Sequence, residues 1–171
     1  MIRKAKKSDI DSVAEIYRKI HDQKDSSIGW IKDVYPTRKT AADALDRGDL
    51  FVYEDKGKIL AAAIINQIQD DAYYKTKWEN EVSDVEVCVI HTLVVLPEEK
   101  GKGIGKDFIR FYEDYAKSKG WYELRLDTNE KNFKARNLYK SLGYKEVAIV
   151  PTVFNNIPGV NLVLIEKSLK A

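Results

Sequence analysis

The chain has 171 residues, 44% of them hydrophobic, which is ample for a real core and sets an expectation of one domain over residues 1–171. Its 29 Lys and Arg are nearly balanced by 27 Asp and Glu, giving a net charge of +2. The charges are interleaved along the chain, which argues against nucleic-acid or membrane-surface binding. A single cysteine, Cys88, excludes an intrachain disulfide and a cysteine-based zinc cluster, and a reducing cytoplasm is the default compartment.

In chain order, Ile2 to Ala5 reads as a short opening strand. The Lys-rich segment from Arg3 to Lys7 has no apolar run behind it, so neither a signal peptide nor a membrane anchor is expected. Ser8 is the expected N-cap of a first helix, with Ile10, Val13, Ala14, Tyr17 and Ile20 as its apolar stripe. A short helix is predicted over Ile28 to Tyr35, ended by Pro36, and another from Thr37 to Leu45, stopped near Gly48. Leu50 to Glu54 and Ile59 to Ile68 read as a hairpin around Asp55-Lys56-Gly57-Lys58. Gln69 to Asp84 is polar, aromatic and irregular, and reads as a loop or insertion near a substrate entrance. Its acidic residues, Asp70, Asp71, Glu79, Glu81 and Asp84, attract a cationic amine or simply solvate the loop. Tyr73, Tyr74 and Trp78 line an acceptor pocket or pin that loop. Val85 to Leu96 is a long strand in which Cys88 is read as a buried, inert thiol. A helix follows from Gly103 to Lys119, then a strand over Tyr122 to Asp127 and a helix over Asn132 to Leu142. Tyr144 to Val150 and Val160 to Lys167 are predicted strands joined by a loop from Pro151 to Gly159. With the short helix over 28–35 set aside, the order β-α-α-β-β-β-α-β-α-β-β predicts an α/β or α+β layered fold with a central, largely antiparallel sheet.

Two segments carry chemistry. In Leu93-Val94-Val95-Leu96-Pro97-Glu98-Glu99-Lys100-Gly101-Lys102-Gly103-Ile104-Gly105-Lys106, an apolar strand stops at a proline and three alternate glycines open a helix. A helix N-terminus presents unpaired backbone N–H groups and a partial positive charge. Glycine lets an anion approach those groups closely, so the pattern suits a phosphate or pyrophosphate. A Walker loop does not fit, because Lys100 stands at its first glycine and Asp107 at its hydroxyl. The dinucleotide fingerprint also fails, since its third glycine falls on Lys106 or Phe108. The second segment is Asn132-Phe133-Lys134-Ala135-Arg136-Asn137-Leu138-Tyr139-Lys140-Ser141-Leu142-Gly143-Tyr144, in which Asn132 suits an N-cap and Gly143 a C′ position.

Together the two segments resemble the Gcn5-related N-acetyltransferase (GNAT) superfamily. Lys100-Gly101-Lys102-Gly103-Ile104-Gly105 resembles its Arg/Gln-x-x-Gly-x-Gly/Ala loop, with Lys100 in place of Arg or Gln. Asn132 to Tyr144 resembles its N-x-x-A-x-x-x-Y-x-x-x-G-[FY] element at every fixed position. The resemblance implies acetyl-CoA as cosubstrate, with the pyrophosphate at Lys100 to Lys106 and the pantetheine arm between two splayed strands. It further implies backbone contacts from Leu93 and Val95, with Val94 between them, and a cofactor role for Asn132. A backbone N–H on that strand would stabilise the oxyanion, and Tyr139 would protonate the leaving thiolate.

The general base is open at this level. The histone-type catalytic glutamate falls on Val89, which has no acid–base chemistry. The arylalkylamine-type pair of histidines falls on Val89 and His91, so half of that pair is present. His91 has the right intrinsic range and is the leading candidate; Glu86, Asp127 and Glu81 are the others, and water relayed by backbone groups would need none of them. The leading function is therefore transfer of an acetyl group from acetyl-CoA to the primary amine of a small molecule or peptide, with no metal. The alternatives are another acyl group or a protein acceptor, and a non-catalytic CoA-binding regulatory module. Dimers are common in the family, which leaves a homodimer open.

Overall fold

The computed structural model describes residues 1–170. Its strands are β1 (Ile2–Lys4), β2 (Leu50–Asp55), β3 (Lys58–Asn66), β4 (Val87–Val95), β5 (Glu123–Asn129), β6 (Lys145–Phe154) and β7 (Ile157–Ser168). Its helices are α1 (Ile10–Asp22), α2 (Arg38–Arg47), α3 (Asp71–Tyr74), α4 (Ile104–Ser118) and α5 (Phe133–Ser141). The seven strands run in the order β1-β2-β3-β4-β5-β7-β6. The fold is the expected mixed α/β arrangement with a mostly antiparallel open sheet. Contacts divide the chain into two compact units, and β4 and α4 each contribute one half to both.

The first unit covers residues 1–26, 30–65 and 90–112. Here β1 pairs antiparallel with β2, and β2 with β3. The apolar stripe of α1 buries Val13, Ile16 and Tyr17 as its spacing requires. Phe51 of β2 meets Phe111 of α4 at 5.4 Å, and Phe108 is fully buried beside them. Burying a side chain of that size is worth about 1.5–3 kcal/mol, so these rings anchor α4 against this half of the sheet. Ser8 is not the cap of α1. It lies in a 3-10 turn, Lys7–Asp9, and the Asp9 carboxylate accepts instead from the Lys6 N–H at 2.7 Å and from Arg3 at 2.7 Å. The Arg3 guanidinium holds the Asp9 carboxyl below its ordinary range. The helix predicted over residues 28–35 does not form. Asp33 takes a left-handed φ of +63°, which interrupts a helix, and a bridge between Ile31 and Tyr35 closes a turn.

The second unit covers residues 27–29, 66–89 and, of the described residues, 113–170. The parallel ladder of β4 with β5 has rungs at Val87↔Glu123, Cys88↔Leu124 and Val89↔Arg125, and stops there. Yet β4 runs on to Val95 and β5 to Asn129. β5 and β6 both pair antiparallel with β7. The predicted loop from Pro151 to Gly159 is instead the tip of a long hairpin. Asn155 and Asn156, both at positive φ, make its two-residue turn, the geometry that asparagine tolerates and hairpins favour. Pro151 sits inside β6, a terminal strand of the sheet, where a missing N–H is tolerated. Cys88 is fully buried, and burial pushes its thiol up to about 12.

Candidate active site

The glycine run is built as its sequence requires. β4 ends at Val95, and Pro97–Glu99 forms a 3-10 turn. The Leu96 N–H donates to the Leu60 carbonyl at 2.8 Å, tying this corner to β3. Gly101 and Gly103 adopt φ of +82° and +85°, a backbone state that other residues enter only at a cost. A Cβ built on either would meet nothing within 4 Å. The Gly103 carbonyl accepts from the Asp107 N–H at 3.0 Å, so α4 begins here, and the N–H groups of its first turn lack intrahelical acceptors. The place is therefore an exposed, glycine-walled helix N-terminus, which fits a pyrophosphate. Lys100 and Lys102 add positive charge. The Lys100 ammonium donates to Gln23 at 2.9 Å and that of Lys102 to Glu99 at 2.8 Å, so neither is committed by a buried partner.

Upstream, His91 is half-buried on β4. Thr92 beside it takes φ of +50°, an outlier for a β-branched residue inside a strand. Its Oγ1 shares a hydrogen bond with the Tyr35 hydroxyl. Leu93, Val94 and Val95 follow, with Val94 buried and its neighbours half-buried. Thr92 and Tyr35 carried no signal in the hydrophobic pattern, because a left-handed strand residue is a property of tertiary context.

The remaining predicted residues lie in the second unit. Asn132 caps α5, its Oδ1 accepting from the Ala135 N–H at 3.2 Å. Tyr139 is the one buried residue of α5, on the helix where the pattern also placed Ala135, Leu138 and Leu142, which are half-buried. Its ring meets that of Tyr144 edge-on at 5.9 Å. Burial, followed by the Asp127 carboxylate, pushes the Tyr139 phenol above its usual range, so it stays protonated and can donate. Asp127 lies near the end of β5 and accepts from the Tyr73 hydroxyl at 2.6 Å. Burial raises its carboxyl to about 6, Asp70 adding to the effect and the Tyr73 hydrogen bond opposing it. The other carboxylate candidates are placed differently. Glu86 pairs with Lys170 at 2.9 Å, which holds it below its ordinary range, and Glu81 is exposed.

The irregular segment before β4 is pinned rather than open. Tyr73 and Trp78 are buried against each other at 5.4 Å, and the Trp78 Nε1–H donates to the Tyr73 carbonyl at 2.9 Å. The Arg125 guanidinium stacks on Trp78 at 4.2 Å and donates to Gln69 at 2.8 Å and to the Asn80 carbonyl at 3.0 Å. Tyr74 alone of the three aromatic residues is exposed. Of the two sequence readings of these rings, the structure shows the anchoring one for Tyr73 and Trp78. That anchor brings Tyr73 to Asp127.

A family model described as the acetyltransferase (GNAT) family matches residues 11–144, which is most of the chain and includes the glycine turn and Tyr139. The chain belongs to the GNAT acetyltransferase family. It is 28% identical over 155 residues to an uncharacterized N-acetyltransferase of Methanocaldococcus jannaschii, covering 87% of this chain but 62% of that relative. It therefore spans less than two thirds of that protein's length. An uncharacterized N-acetyltransferase of Archaeoglobus fulgidus is 28% identical over 140 residues, covering 82% of this chain and 89% of the relative. Among solved structures, a GNAT acetyltransferase of Streptococcus agalactiae superposes with a TM-score of 0.79 at 22% identity, covering 100% of this chain and 96% of that one. A Salmonella typhimurium protein solved with its cofactor acetyl-CoA superposes with a TM-score of 0.72 at 18% identity, covering 100% and 94%. At these identities the likeness shows the GNAT fold. Among the described residues, no helix is long and apolar enough to cross a membrane.

Proposed function

We propose that this GNAT domain transfers an acetyl group from acetyl-CoA directly to the primary amine of a small molecule or peptide. The observation that carries the reading is the glycine turn at Gly101 and Gly103, whose open Cβ positions lead into the N-terminus of α4. In this reading Lys100 to Lys106 hold the pyrophosphate, the first-turn N–H groups of α4 donating to its oxygens. Leu93 and Val95 pair through their backbone with the amide-rich arm, as an added strand would. A backbone N–H of the same segment stabilises the oxyanion on the thioester carbonyl.

An alkyl ammonium has a pKa near 10, so the acceptor must lose a proton before its nitrogen attacks the thioester carbon. Asp127 takes that proton, directly or through water. Its carboxyl is oriented by Tyr73 and titrates at about 6, so it is ionised at neutral pH yet still a useful base. His91, on β4, is the competing base, and the two differ in their effect on the pH–rate profile. The C–S bond then breaks, and the Tyr139 hydroxyl gives its proton to the departing sulfur. Tyr139→Phe keeps the ring and its edge contact with Tyr144, and lowers kcat by about ten- to a thousandfold with little change in acetyl-CoA affinity. Unchanged turnover would show that solvent protonates the thiolate.

Calorimetry with CoA, and thiol release from acetyl-CoA across amines, peptides and aminoglycosides, test the reading as a whole. CoA raises the melting temperature by linkage to the folded state, and desulfo-CoA does nearly as well because phosphate contacts dominate. Absence of heat and of a thermal shift at millimolar CoA would reject it. Binding without thiol release on any amine would favour a CoA-sensing module.

A further inference from the structure

Thr92 is the backbone outlier of β4, and it falls one residue before the segment assigned to the cosubstrate arm. A left-handed residue inside a strand turns the peptide groups that follow it and re-aims their N–H vectors. Such a conformation persists only where its surroundings over-determine it. The contact that reaches this residue's side chain is the hydroxyl of Tyr35. Tyr35 is itself fixed, since its N–H donates to the Ile31 carbonyl at 3.0 Å and its ring meets Trp30 edge-on at 6.1 Å. The hydrogen bond is part-buried. On its inner side lies the fully buried Tyr17, whose phenol is pushed up by burial first and by Tyr35 second. A hydrogen bond between two half-buried groups that are otherwise fixed holds their geometry.

We propose that Tyr35 is a positioning residue for acetyl transfer: its hydrogen bond to Thr92 Oγ1 locks the left-handed turn of β4 that aims the backbone N–H groups of Leu93 to Val95. The proposal rests on the acetyl-transfer reading for its effect on rate. The clamp itself is a feature of the ligand-free chain. In this proposal Tyr35 acts on the reaction through Thr92. Removing its hydroxyl should therefore leave binding at the glycine turn intact and loosen the oxyanion donor.

The test uses Tyr35→Phe, Thr92→Val and the double variant, which keep the ring and the β-branched shape but remove the hydrogen bond. Each single change lowers kcat about five- to fiftyfold, in line with the rate cost of small misplacements at a reacting centre. The double variant is no slower than the slower single, because both remove one contact. The Kd of desulfo-CoA changes less than kcat does, because the phosphate contacts at the glycine turn, which dominate its affinity, are untouched. Thr92→Ser keeps the oxygen and returns kcat towards that of the parent. In the ligand-free protein, the amide resonances of Leu93, Val94 and Val95 shift in Tyr35→Phe and in Thr92→Val, and stay near the parent's in Thr92→Ser. Multiplicative losses in the double variant, or unmoved amides, would overturn the clamp. If the parent protein releases no thiol with any amine, the acetyl-transfer reading fails, and the amide resonances still decide for or against the clamp.

Discussion

Gly103→Val abolishes coenzyme A binding while leaving a folded chain. At φ of +85° a valine is strained by its own backbone, and its branches project into the open space in front of α4. Affinity falls by a hundredfold or more, about 3 kcal/mol, because the anion loses its close approach to several N–H groups at once. The same substitution at Gly120 separates strain from blockage. Gly120 also has positive φ, at +76°, and an equally open Cβ, but it closes the other end of α4, where its N–H donates to the Lys117 carbonyl at 3.0 Å. Gly120→Val costs stability in urea and keeps CoA affinity. Calorimetry on both variants checks the pair. Normal affinity in Gly103→Val would place the pyrophosphate elsewhere. Lys100→Ala weakens binding far less, since a flexible ammonium contributes a point charge and no fork.

Asp127→Asn costs turnover without costing stability, a combination that a merely structural carboxylate would not give. The rate falls by about a hundred- to ten-thousandfold, the span of a lost general base. The stability sign follows from the raised carboxyl. Its folded value of about 6 lies above its ordinary 3.8, so its contribution is full below the unfolded value and is lost as pH climbs through 6. At neutral pH the ionised group therefore opposes folding. Asparagine removes the charge and keeps an oxygen for the Tyr73 hydroxyl, so the melting temperature holds or rises. In the parent, kcat/KM rises with pH through about 6 and then levels, and this limb disappears in Asp127→Asn. A limb that survives in Asp127→Asn and vanishes in His91→Gln would make His91 the base.

What could be read from the chain divides along physical lines. The stripe of α1, the span of α4, the hairpin after Leu50 and the caps at Thr37 and Asn132 depend on local spacing, and their bounds stand within a residue or two of expectation. Glycine at positions 101 and 103 was legible because left-handed backbone all but demands it. Two elements differ from expectation because remote parts of the chain decide them. Residues 28–35 have helix-compatible composition, yet the turn at Asp33 wins. Pro151 and Gly159 look like loop residues, but pairing with β7 carries the strand through Pro151 to Phe154. Asp127 looked like one carboxylate among several. Its distinction comes from Tyr73, 54 residues earlier in the chain, and from burial that no local pattern encodes. Trp78, packed on Tyr73, also meets Arg125, a charged residue inside a strand whose burial is eased by this aromatic face, a side-chain amide and a backbone carbonyl.

The buried Cys88 gives the protein an internal clock of unfolding. With one thiol in the chain, fully buried and held protonated, a chromogenic disulfide reagent meets no reactive sulfur on the native molecule. Colour that develops during turnover counts coenzyme thiols only, one for each acetyl group moved. Without acetyl-CoA, the same reagent reacts only as fast as opening of the structure around β4 exposes Cys88, so its rate at high reagent reports how often that strand is uncovered. A single cuvette and one dye thus read both thiol release and the lifetime of the packing around Cys88.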